Sequence, residues 1–382
     1  LKHVYRKGLR LRYGSIMQCV SGIHYNFSFT KNSWKTLDKS SDQDYVNEKY
    51  LGMIRNIKRN FWFILEQFGA SPVTHKSYLF DREHSLEKYN TSDLFLPYAT
   101  SLRMSDVGYQ SKIQDSLKIS YNRLDDFINS LIKGIKTPVK KFNDIGMFDD
   151  AGIAQQISTG ILQIENELYD IVRPKRSGPS GSRPATLLKK DGIEYLELRG
   201  IDINPFMPEG IDVNKIKLLD IYITHSLISE SPLMLDEEIN EIRANQKIMV
   251  SQGRLKNVML RKNGNLVSLE ELRKNFLTEL EKTAEALDEY SEGYLKAFHI
   301  ETRNKTLLSE KILADMDAED LEFQDYALNH SKKIAKKFSP LDVKNFSTLK
   351  NSVQTSIQKL RNLEESSSMD INKYVELYNQ RF

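Results

Sequence analysis

The sequence predicts a mixed α+β fold, with strands in the first part of the chain and helices throughout. Apolar and polar residues alternate with the period of a strand in three segments, at 23–29, 161–169 and 192–202. Apolar residues recur at helical spacing in two segments of the same half, at 50–68 and 123–136. These strand and helix patterns are interleaved along the chain, as expected for helices that pack around one sheet.

The pattern changes near residue 207, where strand signals fade and helical periodicity continues to the end. We therefore expect a sheet-containing part over 1–206 and a mainly helical part over 207–382, packed on the same core. Two polar stretches of the first part, 30–49 and 173–184, are rich in Lys, Ser, Gly or Pro and are predicted to be loops.

Composition excludes several classes of protein. The 382 residues include 55 Lys and Arg against 52 Asp and Glu, a balance that argues against bulk binding to nucleic acid or to an anionic membrane. Cys19 is the single cysteine, so no disulfide forms within the chain. No apolar run approaches the ~20 residues of a membrane span, and no signal peptide is recognisable. A cytoplasmic location is the expectation.

The common nucleotide and zinc motifs are absent. The sequence has no G-x-x-x-x-G-K-[ST] phosphate loop, no G-x-G-x-x-G, no H-E-x-x-H and no Cys/His zinc spacing. Any nucleotide must therefore be bound in another way.

Polar pairs on the predicted strands are the most informative feature for function. They occupy positions i and i+2, namely His24 and Asn26, Glu165 and Glu167, and Glu197 and Arg199. Residues two apart on a strand share a face, about 6.6 Å apart. Strands that adjoin in one sheet would then form a wall of carboxylates with an imidazole and a guanidinium, suited to Mg²⁺ and its phosphates.

A plainer interpretation stays open at this point. Antiparallel sheets commonly expose one polar face to water, and a histidine on a strand is more often structural than a ligand. The basic start of the chain and the basic loop at 173–184 are either solvated surfaces or sites for an anionic partner.

Longer blocks of sequence resemble the proteobacterial glutamate–cysteine ligase family. They are YRKGLRLRYGSIMQCVSGIHYNFSF (5–29), LPYATSLRMSDVGY (96–109), LQIENELYDIVRPKR (162–176) and GIEYLELRGIDINPF (192–206). The resemblance implies an antiparallel sheet funnel of the glutamine synthetase type with helices outside. It also implies ligation of L-glutamate to L-cysteine with ATP, through a γ-glutamyl phosphate, with Mg²⁺ (or Mn²⁺) as cofactor.

The resemblance further implies roles for individual residues. His24 and Glu197 correspond to magnesium ligands, and Glu165 and Glu167 lie in a family motif with the same expected role. Arg199 and Arg6 correspond to active-site arginines. Substrate-binding positions are matched by Arg103, Tyr109 and Tyr169 for the cysteine carboxylate, and by Tyr5, Leu9 and Val20 for its side-chain pocket.

Two expectations complete the sequence-based picture. The chain starts at Leu1 and lacks the family's N-terminal acidic strand motif, so we expect a fragment with an incomplete metal site, inactive as it stands, of a full-length protein that is active. The competing hypotheses are another ATP-dependent carboxylate–amine ligase, with a different amine acceptor, and a non-enzymatic protein that binds nucleic acid or another partner. The sequence leaves the oligomeric state open.

Overall fold

A computed structural model describes residues 1–38, 42–80, 82–108, 111–179, 181–303, 306–338, 346–366 and 369–381. The strands are β1 (Ile23–Phe27), β2 (Val73–His75), β3 (Glu87–Lys88), β4 (Asp93–Phe95), β5 (Val172–Lys175), β6 (Tyr195–Ile201), β7 (Met259–Lys262) and β8 (Asn265–Ser268). The helices of the first half are α1 (Lys2–Tyr13), α2 (Lys31–Asp38), α3 (Gln43–Arg59), α4 (Phe61–Phe68), α5 (Leu124–Lys136), α6 (Lys140–Ile145) and α7 (Pro184–Asp191). Those of the second half are α8 (Val213–Ile228), α9 (Asp236–Gln252), α10 (Leu269–Asp288), α11 (Tyr294–Arg303), α12 (Leu308–Glu319), α13 (Phe323–Phe338), α14 (Ser347–Ser366) and α15 (Ile371–Asn379). The predicted mixture of helix and sheet is confirmed.

The sheet that positions the candidate site has the order β1-β6-β5, and both pairings are antiparallel. On β6, Leu196 and Leu198 are fully buried and point into the core. Because side chains alternate along a strand, Glu197 and Arg199 lie on the opposite face. The predicted strands at 23–29 and 192–202 are thus confirmed, with their apolar faces inward.

One large hydrophobic core covers the apolar face of this sheet. It joins Leu198 and Ile201 of β6 to residues of α3, α4, α8 and α10, including Ile54, Phe63 and Tyr222. Residues on both sides of position 206 therefore contribute to the same core. The division of the chain at 206/207 itself stays a prediction.

The first predicted loop, 30–49, is largely helical in the structure. It contains α2 and the start of α3, and Trp34 of α2 is buried against Phe29 and Tyr50 at ring-centroid distances of 5.3 and 5.0 Å. Burial of this one large side chain overrides the polar composition around it. The predicted helix at 50–68 is two helices that meet at Asn60.

Two further predictions about secondary structure are wrong. Residues 161–169 form no strand: Glu165–Glu167 is a turn of 3₁₀-helix between irregular segments. The predicted loop at 173–184 is wrong only at its ends: Arg173 to Lys175 belong to β5 and Pro184 begins α7, while the described residues between them form neither helix nor strand. In the second half, the β7–β8 hairpin was not anticipated. Every helix within the described ranges is too short or too polar to cross a bilayer.

Candidate active site

Polar side chains from all three strands share the outer face of the β1-β6-β5 sheet. Glu197 of β6 lies opposite Asn26 of β1 on one side and opposite Arg173 of β5 on the other. The alternation along each strand adds His24, Arg199 and Lys175 to the same face. Two of the three predicted polar pairs are therefore present, and the third strand contributes Arg173 and Lys175 in place of Glu165 and Glu167.

Glu197 is the centre of this cluster. Its Oε2 lies 2.5 Å from Arg173 Nη2, 3.4 Å from Lys175 Nζ and 4.0 Å from Arg199 Nε, and its Oε1 lies 3.5 Å from His24 Nδ1. Burial alone would raise the pKa of Glu197, but the His24 hydrogen bond and the charges of Arg173 and Lys175 lower it well below its ordinary value. The carboxylate is thus a fixed negative charge surrounded by cations.

Arg199 and His24 are linked on the exposed side of the cluster. Arg199 Nε donates to His24 Nε2 at 3.2 Å, which assigns the remaining ring proton to Nδ1, facing Glu197. The imidazole is 42% exposed, whereas the Arg199 side chain is 11% exposed. Arg199 is therefore held in one orientation by the sheet.

Arg173 and Lys175 are the site residues that the sequence reasoning missed. Arg173 Nη1 donates to the carbonyl oxygens of Asn166 and Leu168, at 2.9 and 3.1 Å, and Lys175 Nζ donates to Asn166 Oδ1 at 3.1 Å. Burial, followed by the charge of Arg173, lowers the pKa of Lys175 to about 8. Arg173 and Lys175 are two positions apart in V-R-P-K, a spacing that predicts one face of a strand. Pro174 and the basic stretch that follows made a loop the preferred interpretation.

A cavity of about 480 Å³ opens beside this face. Four of the predicted site residues line it, namely His24, Arg199, Arg103 and Tyr169. Most of the other lining residues come from 104–107, 111–122, Leu168 to Ile171 and one side of α9. Sequence positions more than 100 residues apart are therefore brought to one concave, cation-lined surface.

Glu165 and Glu167 have structural partners elsewhere. Both Glu165 oxygens accept from Arg183, at 3.2 Å each, and the two side chains are 1% exposed. The expectation that they stand on the sheet beside His24 and Glu197 is wrong, because their segment is a 3₁₀ turn packed between arginines. Their metal-binding role stays a prediction without geometric support.

Glu167 is enclosed by residues of α1. Arg12 Nη1 and the Tyr13 hydroxyl donate to its Oε1, at 3.4 and 3.1 Å, and the backbone N–H of Gln163 donates to its Oε2 at 2.7 Å. Burial raises the pKa of Glu167, and Arg12 opposes that rise. Arg12 also lies over the Phe142 ring, 4.0 Å from its centroid. This network attaches α1 to the rest of the protein.

The remaining predicted residues do not meet at the cavity. Its lining, within the part of the chain that the structure describes, does not include Arg6, Tyr5, Leu9 or Val20. Arg6 is exposed on α1, Leu9 is buried, and Tyr5 packs on a small separate core. Tyr109 lies outside the described residues.

The donor set provides a test of the magnesium prediction. His24 and Glu197 supply one nitrogen and one carboxylate, and no group of three or more His, Cys, Asp or Glu able to hold a metal occurs among the described residues. The Glu197 carboxylate is already compensated by Arg173 and Lys175, so a divalent cation there would meet like charges. The residues described do not by themselves fit a protein-held magnesium ion.

We expect Glu165→Gln to cost about 3–5 kcal/mol in the free energy of unfolding, because the buried Arg183 guanidinium loses the charge of Glu165. Denaturant unfolding of the variant and the unchanged chain measures this. The divalent-cation concentration that gives half-maximal activity should not change. An increase in that concentration, with stability unaltered, would instead establish Glu165 as a metal ligand.

Fold and site together define a class, namely a mixed helix and sheet protein with a cation-lined cavity suited to anionic substrates. A family model described as glutamate–cysteine ligase matches residues 1–249. A curated glutamate–cysteine ligase from Pseudomonas putida KT2440 is 38% identical over an aligned length of 391 residues, and the alignment covers 99% of this chain and 74% of the relative. The chain belongs to the glutamate–cysteine ligase family.

Further relatives support membership of this family. The glutamate–cysteine ligase of Janthinobacterium sp. strain Marseille is 36% identical over 100% of this chain and 74% of its own. A crystal structure of glutamate–cysteine ligase from Francisella tularensis in complex with AMP aligns with a TM-score of 0.90 and 29% identity, over 99% of this chain and 76% of that one. A bifunctional glutathione synthetase from Pasteurella multocida shares the fold, with a TM-score of 0.64 and 21% identity over 87% and 38% of the two chains.

Proposed function

We propose that this chain catalyses the ATP-dependent ligation of L-glutamate, through its γ-carboxylate, to the amine of L-cysteine. The expectation that the chain is inactive without the family's N-terminal motif is tested by the same assay of ADP formation. The γ-carboxylate attacks the γ-phosphate of ATP, giving γ-glutamyl phosphate and ADP, and the amine then displaces phosphate. Membership of the glutamate–cysteine ligase family supports the reaction. The AMP in the F. tularensis relative supports an adenine nucleotide as substrate.

The observation that carries the proposal is the cluster of cations on the polar face of the sheet, beside the cavity. ATP and glutamate are both anions, so they approach each other only where positive charge offsets their repulsion. Arg199 and His24 lie at the cavity, and Arg173 and Lys175 lie behind Glu197. We assign Arg199 to the phosphoryl group in transfer, because its guanidinium is fixed before any substrate binds.

Glu197 sets the geometry of these cations. Its carboxylate accepts a hydrogen bond from Arg173 and lies close to Lys175 and Arg199. The negative charge offsets the repulsion among these three cationic side chains and so keeps them together. Its low pKa keeps the carboxylate charged at neutral pH. In this role Glu197 orients its neighbours, whether or not it also contacts a metal that enters with the nucleotide.

The second substrate is assigned to the Arg103 end of the cavity. A guanidinium there suits the carboxylate of cysteine, and the neighbouring Tyr169 contributes to the same wall. Tyr109 keeps its predicted role in this contact. Tyr5, Leu9 and Val20 as the wall of the side-chain pocket, and Arg6 as a second catalytic arginine, remain proposals from the family resemblance alone.

Two finer features of the family are also proposed for this chain. The three-stranded sheet would form part of a funnel of the glutamine synthetase type, and a magnesium ion would accompany ATP. When bound, the ion would neutralise phosphate charge. The antiparallel order β1-β6-β5, with helices on its apolar side, is consistent with the first of these.

The reaction is tested by following ADP formation with each substrate omitted in turn. We expect ADP to appear only when ATP, glutamate and an amine are all present, and cysteine to exceed alanine and glycine as the amine. Equal rates with several amines would favour another carboxylate–amine ligase. Salt-sensitive binding of nucleic acid with no ADP formation would favour the non-enzymatic alternative.

A further inference from the structure

A buried carboxylate directly behind the cavity has no role in the proposal so far. Asp202 follows β6 and is 4% exposed. Its Oδ1 accepts from Arg103 Nε at 2.5 Å. Its Oδ2 accepts from the backbone N–H of Ala70 at 2.8 Å and from the Ser71 hydroxyl at 2.7 Å. Both oxygens are occupied, so Asp202 is a fixed anion facing one edge of the Arg103 guanidinium.

Two further contacts restrict the same guanidinium. Arg103 Nη2 donates to the carbonyl oxygen of Arg199 at 3.1 Å. A Cβ atom added to Gly22 would lie 2.6 Å from both Cζ and Nη1 of Arg103, so any residue other than glycine at position 22 would displace the group. Arg103 is thus constrained by a carboxylate, a carbonyl and a glycine.

These contacts leave one part of the guanidinium for a ligand. Among the described residues, Nη1 of Arg103 has no hydrogen-bond partner, and Arg103 lines the cavity. With Nε and Nη2 occupied, the plane of the guanidinium is fixed and Nη1 is the nitrogen left to donate to a carboxylate. The carboxylate behind it also compensates the cost of burying the cation.

We propose that Asp202 is a positioning residue: it fixes Arg103 so that the guanidinium selects acceptor amines that carry an α-carboxylate. This inference rests on the proposed function, which places the acceptor at Arg103. Asp202 does not touch the substrate, and its effect is confined to the affinity for the acceptor and the preference for its carboxylate.

The experiment compares cysteine with cysteamine, which has the same amine and thiol but no carboxylate. We expect Asp202→Asn to raise KM for cysteine by roughly 10- to 100-fold, the effect of weakening a hydrogen bond to a charged group. KM for ATP and kcat/KM for cysteamine should change by less than about threefold. A carboxylate-specific loss of this kind is not the signature of general destabilisation.

A second variant reaches Arg103 without altering Asp202. Gly22→Ala should displace the guanidinium and reduce the preference for cysteine over cysteamine in the same way. Glu301→Gln is the matched control, because it removes another largely buried ion pair, with Lys215 Nζ at 2.9 Å, outside the cavity lining. The control should lower Tm and leave the preference unchanged.

The possible results distinguish a failure of the positioning role of Asp202 from a failure of the proposed ligase function. Equal losses with cysteine and cysteamine in both Asp202→Asn and Gly22→Ala, or no loss in either, overturn the positioning role. If Asp202→Asn does not fold, Ser71→Ala takes its place, because it removes one hydrogen bond to the Asp202 carboxylate. Absence of cysteine-dependent ADP formation in the unchanged chain would instead refute the proposed function.

Discussion

Replacing Arg199 with alanine is expected to lower kcat by about 100- to 1,000-fold, the range seen when one fixed group that stabilises transition-state charge is removed. Arg199 combines a position at the cavity with a rigid attachment to His24. On the proposed function, loss of its charge would leave the phosphoryl group in transfer without a fixed cation. The measurement is steady-state ADP formation at saturating ATP, glutamate and cysteine.

Two companion variants sharpen this test. Arg199→Lys keeps the positive charge but lacks the planar fork, so we expect it to recover only part of the lost rate. Arg261→Ala removes an exposed arginine from β7 that is not part of the cavity lining, and should leave kcat unchanged. A kcat within fivefold of the unchanged chain in Arg199→Ala would exclude Arg199 from the chemical step.

Replacing Glu197 with glutamine is the second large change, and it affects both stability and activity. The substitution leaves Arg173, Lys175 and Arg199 without the carboxylate that compensates them. Removing one partner from such a largely buried group costs about 3–5 kcal/mol in the free energy of unfolding. We expect a lower denaturant midpoint and a steep fall in kcat, because the cations move apart.

The pH dependence of the free energy of unfolding, measured for the unchanged chain and for Glu197→Gln, is an independent test of this role. The folded-state pKa of Glu197 is lowered, so its stabilising contribution is present above the unfolded pKa, about 4.3, and is lost as the pH falls below it towards the folded value. The stability difference between the unchanged chain and Glu197→Gln should therefore shrink in acid. Glu194→Gln, which removes an exposed carboxylate from the segment before β6, should cost less than about 1 kcal/mol.

Excess Mg²⁺ distinguishes the two roles proposed for Glu197. A metal ligand lost from the site raises the Mg²⁺ concentration needed for half-maximal activity, and excess Mg²⁺ then restores part of the rate. A residue that only orients arginines gives no such rescue. Full activity and full stability in Glu197→Gln would remove Glu197 from the site altogether.

Sequence periodicity predicted the two strands that carry His24 and Arg199, because both have one buried and one polar face. It misassigned the third strand. Alternation over 161–169 is indistinguishable from a strand by pattern, yet Glu167 pairs with Arg12, 155 positions away, and Glu165 pairs with Arg183, 18 positions away. Such pairing is a tertiary contact that no local pattern contains.

The actual third strand, β5, was hidden by its composition. Pro174 argues against a central strand, but β5 lies at the edge of the β1-β6-β5 order, where a residue without an N–H is tolerated. Arg173 and Lys175 then appeared as part of a basic loop. The family resemblance supplied Arg103 and Tyr169, whose convergence with His24 depends on chain crossings that periodicity cannot predict.

The enclosure of Arg12 places a constraint on the order in which the chain folds. Arg12 bonds to Gln156, the Gly160 carbonyl and Glu167, which are 144 to 155 positions away. Until those groups are assembled, burial of the Arg12 guanidinium would be unfavourable, because its charge would have no hydrogen-bond or ion-pair partner. Closing a loop of that length also costs chain entropy before any contact repays it. We therefore expect the first helix of the sequence to be among the last elements to dock, on a structure that the middle of the chain has already formed.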